Sequence, residues 1–140
     1  MAAECIFCAI VADEADASFV VSSELAVAFL DILPVAEGHT LVIPRRHAVG
    51  LTDLDDTEGA ELFRLGREIA RAQWELGLAE GVNLFLADGE VAGQEVFHVH
   101  LHVLARRRDD GMRLEVDYPP PPDRNELDAT AARLRAALSG

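Results

Sequence analysis

Three histidines occupy alternate positions in Phe97-His98-Val99-His100-Leu101-His102-Val103-Leu104. Successive side chains of an extended strand point to opposite faces, so His98, His100 and His102 are expected on one face and Val99, Leu101 and Val103 on the other. Imidazole titrates near neutral pH and can serve as neutral nucleophile, proton donor or metal ligand. Two chemistries fit such a cluster. In one, a neutral imidazole attacks phosphorus while a neighbour holds the phosphoryl oxygens. In the other, imidazoles two residues apart on a strand share a zinc ion. Cys5-Ile6-Phe7-Cys8 has the spacing of a zinc half-site, which His47 and one member of the triple would complete. Simple burial of the thiols or a redox pair are the alternatives, although no strand precedes Cys5 to present a redox pair.

The composition narrows what these residues can act on. A chain of 140 residues, half of them apolar, is long enough for one domain with a buried core and no disulfide framework. Its net charge is −13, with twelve arginines and no lysine, so a basic surface for a nucleic-acid polymer is not expected. A small anionic ligand needs only local neutralisation by histidine, arginine or backbone N–H groups. No apolar run reaches the roughly 18 residues of a membrane span, and the N-terminus is acidic where a secretion signal is basic. The expected setting is cytoplasmic, away from membranes.

The chemistry needs elements that hold it. After an apolar stretch from Cys5 to Val11, strands are expected at Ser18 to Ser22, Ala26 to Asp31 and Thr40 to Pro44, with Leu33-Pro34 and Glu37-Gly38 breaking the pattern between the last two. Asp55 and Glu58 have capping-box spacing, and Leu62, Leu65, Ile69, Ala72 and Leu76 recur at helical intervals until Gly77. A strand at Val82 to Leu86, a glycine-bearing loop and the histidine strand, Val96 to Leu104, suggest antiparallel neighbours. Residues 119–122 are four prolines, expected as an extended spacer, and Leu127, Ala131, Leu134 and Leu138 mark a short terminal helix. The fold class is therefore α+β: an antiparallel sheet of about five strands, one long helix and a short C-terminal helix. Residues 1–110 are expected to form the working domain and 111–140 a C-terminal extension.

These residues together resemble the histidine-triad (HIT) family, in a Hint-like branch with a zinc-type Cys-x-x-Cys. The likeness runs from about Cys5 to Arg106. It rests on Cys5-Ile6-Phe7-Cys8, Ala28-Phe29-Leu30-Asp31-Ile32, Gly38-His39-Thr40-Leu41-Val42-Ile43-Pro44 with His47, and Gly93-Gln94 leading into His98-Val99-His100-Leu101-His102. The resemblance implies a HIT-like nucleotide-binding domain that hydrolyses or transfers at the α-phosphate of purine nucleotide derivatives. His100 is the implied nucleophile, its tautomer fixed by a backbone carbonyl, and His102 holds the phosphoryl oxygens or leaving group. It further implies structural zinc on Cys5, Cys8, His47 and His98, a ribose-binding Asp31, and a base pocket of Ile6, Phe7, Ile10, Phe29 and Ile32. Gln94 and the Gly93 backbone would approach the phosphate beside Glu95, and the assembly would be a homodimer. His39, which opens a strand after a glycine turn, is expected to be structural, and Arg106, Arg107 and Arg108 to form a solvated charge run.

The chain departs from the Hint pattern at three positions, with Ala87 for asparagine, Glu95 for a hydroxyl residue and Ala105 for proline. An anion near a phosphate site repels it by about 1 kcal/mol at 4 Å in a watery environment. The expected substrates are therefore phosphoramidate-type monophosphate derivatives with small leaving groups rather than dinucleoside polyphosphates. A dinucleoside polyphosphate hydrolase, a binding module with little catalysis and a hydrolase using a catalytic metal on all three histidines are the rival readings.

Overall fold

Cysteine caps the first helix of the chain. In the computed structural model, which describes residues 4–140, Cys5 is the N-cap of α1 (Ile6–Val11), its Sγ accepting from the Cys8 N–H at 3.4 Å. The apolar stretch is thus one short helix, and its three-residue spacing turns Phe7 and Ile10 inward together.

Five antiparallel strands follow: β1 (Phe19–Ser22), β2 (Ala26–Leu30), β3 (Thr40–Pro44), β4 (Gly81–Leu86) and β5 (Leu101–Arg106), in the order β1-β2-β3-β5-β4. Between β3 and β4 runs α2 (Asp56–Glu75), opened by the expected capping box: Glu58 N–H donates to Asp55 Oδ1 at 2.8 Å and Asp55 N–H to Glu58 Oε1 at 3.0 Å.

Period-2 alternation divides the sheet into two cores. Ala26, Ala28, Val42, Leu101 and Val103 face α2 and pack on Leu62, Leu65 and Ile69. Val27, Phe29, Leu41 and Ile43 face the other way, onto Phe7 and Ile10 of α1. Gly66 permits the close helix-on-sheet contact, since a Cβ there would meet Leu101 Cδ2 at 2.9 Å. His102 lies between Leu101 and Val103, and therefore on the α1 face.

The histidine strand differs from its expected bounds. Paired ladder begins at Leu101, because the β3–β5 pairing stops at Val42↔Leu101, two residues short of Pro44, which has no N–H to extend it. The Pro44 carbonyl instead meets His98 Nε2 at 2.8 Å, and the Val99 N–H donates to Ala48 O at 2.8 Å. Residues 96–100 are held by these bonds rather than by a ladder.

The terminal helix is also longer than expected: α3 (Arg124–Ser139) is N-capped by Asp123, and none of its residues is buried. Arg106 fastens the start of the extension through Asp110 Oδ2 at 2.7 Å and Met112 O at 2.7 Å. Arg107 donates to Gly77 O at 2.6 Å. Among the described residues no helix is long and apolar enough to cross a membrane.

Candidate functional site

The α1 face of the sheet gathers two adjoining groups of side chains. The first comprises Cys5 and Cys8 from the start of α1, His47 from the loop after β3, and His98 from the segment before β5. Their ligand atoms all lie within 4.8 Å of one another. Cys5 Sγ and Cys8 Sγ each stand 3.5 Å from His98 Nδ1, and Cys8 Sγ is 3.2 Å from His47 Nδ1. With Zn–S near 2.3 Å and Zn–N near 2.0–2.1 Å, a tetrahedral S–Zn–N angle requires an S···N edge of about 3.5 Å. The donor set therefore fits zinc. His98 is prepared for that role: the Pro44 carbonyl can only accept, so the proton sits on Nε2 and the Nδ1 lone pair faces the thiols. Burial lowers the His98 pKa, and burial together with Cys5 raises that of the Cys8 thiol. A bound cation reverses the penalty on the thiolates.

The second group contains His100, His102, His39 and Asp31. His100 Nδ1 lies 2.8 Å from the His98 carbonyl, which requires a proton on Nδ1, so the neutral ring carries its lone pair on Nε2. Phe7 packs edge-on against the His100 ring at 5.2 Å and 90°, fixing its plane. The His102 ring is 4.9 Å from that of His100. On its other side, His102 Nδ1 is 2.8 Å from His39 Nε2.

The hydrogen-bond chain sets the remaining tautomers. Val35 N–H donates to His39 Nδ1 at 3.1 Å, so a neutral His39 carries its proton on Nε2 and donates it to His102. His102 then accepts at Nδ1 and presents Nε2–H as a donor. Asp31 Oδ2 stands 3.5 Å from His39 Nε2, while Asp31 Oδ1 accepts from Leu33 N–H at 2.9 Å in a tight turn. Burial, with His100 and His39 nearby, pushes the His102 pKa down to about 4, and burial also lowers that of His39. Both rings are neutral at pH 7, as this chain of bonds requires.

The other expected site residues divide. Phe7, Ile10 and Phe29 are buried in the α1 core, with the Phe7 ring edge-on to both His98 and His100, whereas Ile6 and Ile32 are exposed, Ile32 to 93%. Gln94 is buried with its amide spent on backbone: Nε2 donates to Val49 O at 2.6 Å and Val96 O at 3.1 Å, and Oε1 accepts from Gly89 N–H at 2.8 Å. It shapes the loop rather than offering a free donor. Gly93 holds φ 97°, a left-handed backbone suited to glycine, and Glu95 is exposed beside it. Ala87 and Ala105 are buried.

His39 is the residue that sequence reasoning set aside and the structure joins to the cluster. The strand parity carries the missed signal. Leu41 pairs with His102 and shares its face, and His39, two residues earlier, shares it too. That signal appears only once β3 is known to pair with β5.

Comparison with known proteins agrees with this fold. The HIT domain family matches residues 12–109. A HIT family protein from Bacillus anthracis is 33% identical, with a TM-score of 0.91 covering 98% of this chain and 99% of that one. A Zn-bound histidine triad family protein from Mycobacterium smegmatis is 42% identical, with a TM-score of 0.75, covering 98% of this chain and 99% of that one. An adenosine 5′-monophosphoramidase of Saccharomyces cerevisiae is 34% identical over 139 residues, covering 99% of this chain and 85% of that protein.

Proposed function

The chain belongs to the histidine-triad family, and from that premise we propose that it hydrolyses nucleoside 5′-phosphoramidates and related purine nucleotides at the α-phosphorus. The observation that carries the reading is the 2.8 Å bond from His100 Nδ1 to the His98 carbonyl, which directs the lone pair of the neutral ring to Nε2.

In the reaction, His100 Nε2 attacks the α-phosphorus and the P–N bond breaks, releasing the amine with a proton gained from solvent. His102 donates Nε2–H to a phosphoryl oxygen, where negative charge builds in the transition state. Water then attacks the phosphorus of the nucleotidyl-histidine and releases a proton to solvent. The P–Nε2 bond breaks, the mononucleotide leaves and His100 is regenerated. Asp31 is assigned to the ribose hydroxyls through the carboxylate oxygen that is not closing the turn. Gly93, Gln94 and Glu95 form the loop facing the phosphate, and the exposed Glu95 carboxylate disfavours long polyphosphates. Ile6, Phe7, Ile10, Phe29 and Ile32 are assigned to the base side, Phe7 also bracing His100. Zinc on Cys5, Cys8, His47 and His98 would supply a cross-link between α1, the loop after β3 and the histidine segment, and no reacting atom.

A homodimer is part of the proposal. It is supported by β4, an edge strand with exposed Leu84 and Phe85, and by an α3 that buries none of its residues.

The test is His100→Asn. Turnover of adenosine 5′-phosphoramidate should fall by more than about a thousandfold while mononucleotide binding persists, and the wild type quenched during turnover should carry the nucleotidyl group on His100. Undiminished turnover in the variant refutes the assignment. Nucleotide binding without turnover in the wild type leaves the binding-module reading.

A further inference from the structure

An apolar helix and an apolar cleft stand unmatched in the same chain. In α3, Leu127, Ala131, Leu134 and Leu138 recur at i, i+4, i+7 and i+11, which is one stripe of a helix, yet no residue of α3 is buried and its leucines are exposed. A lone helix of this length is marginal in water and is stabilised chiefly by packing such a stripe. On the sheet face opposite the histidines, a cleft of about 460 Å³ opens between the C-terminal half of α2 and strands β1 to β3. Val20, Leu30, Ile69, Leu76 and Leu78 line it, and Val20, Leu30 and Leu76 are exposed there.

The connection between helix and cleft decides which copy's helix fits. The root of the arm is pinned beside its own cleft: Arg107 donates to Gly77 O, between the lining residues Leu76 and Leu78, and the Arg108 N–H donates to Glu80 Oε1 at 3.0 Å. Residues 112–123 then run without helix or strand and include the four prolines 119–122, a stiff segment that at about 3.1 Å per residue spans roughly 30–40 Å. An arm of that length and stiffness carries α3 past the cleft at its root, not back into it. Charge points the same way. Residues 129–140 carry Arg133 and Arg135 and no acidic side chain, whereas exposed Glu37 on the cleft rim makes no ion pair among the described residues of a chain that carries −13. The area suffices: a helix of 16 residues is about 24 Å long, a stripe about 10 Å wide covers roughly 240 Å² on each surface, and two such contacts bury roughly 1,000 Å², the lower bound for a specific interface.

We propose that the cleft receives α3 of a second copy of this chain, reciprocally across a two-fold axis, so that each leucine stripe lies on the partner's aliphatic lining with Arg133 or Arg135 near the partner's Glu37. The proposal specifies a contact within the homodimer described above, on which it rests, and does not depend on the hydrolase reading.

Sedimentation equilibrium of the full-length, zinc-loaded protein and two variants tests it. Leu134→Asp spoils the stripe, and Ala72→Phe, at an exposed position in the lining, blocks the cleft. Both positions are exposed in the single chain, so circular dichroism should show each variant folded; Leu76→Asp, also exposed in the lining, is the cleft variant if Ala72→Phe does not fold. Each variant alone should dimerise at least about tenfold more weakly than wild type. Mixed in equal amounts, they should form a heterodimer tighter than either variant's homodimer, because one intact helix then meets one intact cleft. No gain on mixing, as when α3 docks in its own chain, overturns the proposal. Variants that dimerise as tightly as wild type also overturn it, and leave the homodimer resting on β4 alone. A wild type that stays monomeric overturns this contact and the homodimer together.

Discussion

His39 supplies the donor that makes His102 a donor in turn, and two substitutions at position 39 separate this role from packing. A glutamine amide reaches roughly where imidazole Nε2 lies, and an asparagine amide roughly where Nδ1 lies. His39→Gln therefore keeps a donor towards His102 Nδ1 and loses the acceptor for Val35 N–H, while His39→Asn does the reverse. In the asparagine variant His102 is free to carry its proton on Nδ1, which withdraws Nε2–H from the phosphoryl oxygen. The 2.8 Å bond between the two rings is an ordinary neutral hydrogen bond, worth about 0.5–1.5 kcal/mol, or about two- to tenfold in rate. Both variants lose imidazole packing, so their difference isolates the donor. The assay is kcat/KM for adenosine 5′-phosphoramidate, alongside ¹⁵N ring shifts that report which nitrogen of His102 is protonated. The asparagine variant should be slower than the glutamine variant by that factor, with the His102 proton on Nε2 in the wild type. A wild-type proton on Nδ1, or an asparagine variant as fast as the glutamine one, would refute the reasoning.

Further outcomes follow from the same geometry. Chelation of zinc, or Cys8→Ser, should lower the thermal midpoint by several degrees and lower activity with it, because three segments lose their common cross-link; adding zinc back should restore both in the chelated wild type. Folding depresses the His102 pKa from 6.5 to about 4, so the native state prefers the neutral ring. That contribution is complete above about pH 6.5 and is lost as pH falls towards 4. The full shift corresponds to about 3 kcal/mol, reduced to about 1–2 by the partial exposure of the ring. Urea midpoints of the zinc-loaded protein at pH 7 and pH 5 should differ in that direction, and His102→Gln should flatten the difference. Carboxylates such as Glu61, held down to about 2 by Arg64 and then Ser23, lose their contribution only at lower pH. Asp55→Ala should cost about 1 kcal/mol by chemical denaturation, since it removes the cap of α2.

The exposed Glu95 makes a separate prediction about substrate choice. Glu95→Ser replaces an anion by a hydroxyl donor and should improve the relative turnover of dinucleoside polyphosphates over phosphoramidates by about fivefold, from about 1 kcal/mol of removed repulsion. An unchanged ratio would mean that Glu95 stays clear of the phosphates.

Local chemistry is what the sequence by itself determined. The alternating histidines, the Cys-x-x-Cys, the capping box at Asp55 and the period-2 runs of β2 and β3 depend on contacts a few residues apart, so spacing alone reveals them. The bounds of the histidine strand did not follow, because they depend on Pro44, a residue 54 positions from His98 that cannot extend the ladder and accepts from the His98 ring instead. The family resemblance already divides the roles among the imidazoles, but the partners that fix the protons on them required the tertiary structure. A proton's position on each ring is fixed by whichever group faces its other nitrogen: the Pro44 carbonyl for His98, the His98 carbonyl for His100, and His39 for His102. Two of these partners, Pro44 at the end of β3 and His39 just before its start, are distant in the chain, and a residue-type pattern carries no record of which strand pairs with which. Sequence thus named the three histidines and, through the resemblance, their roles, while the tertiary structure supplied the groups that fix their protons.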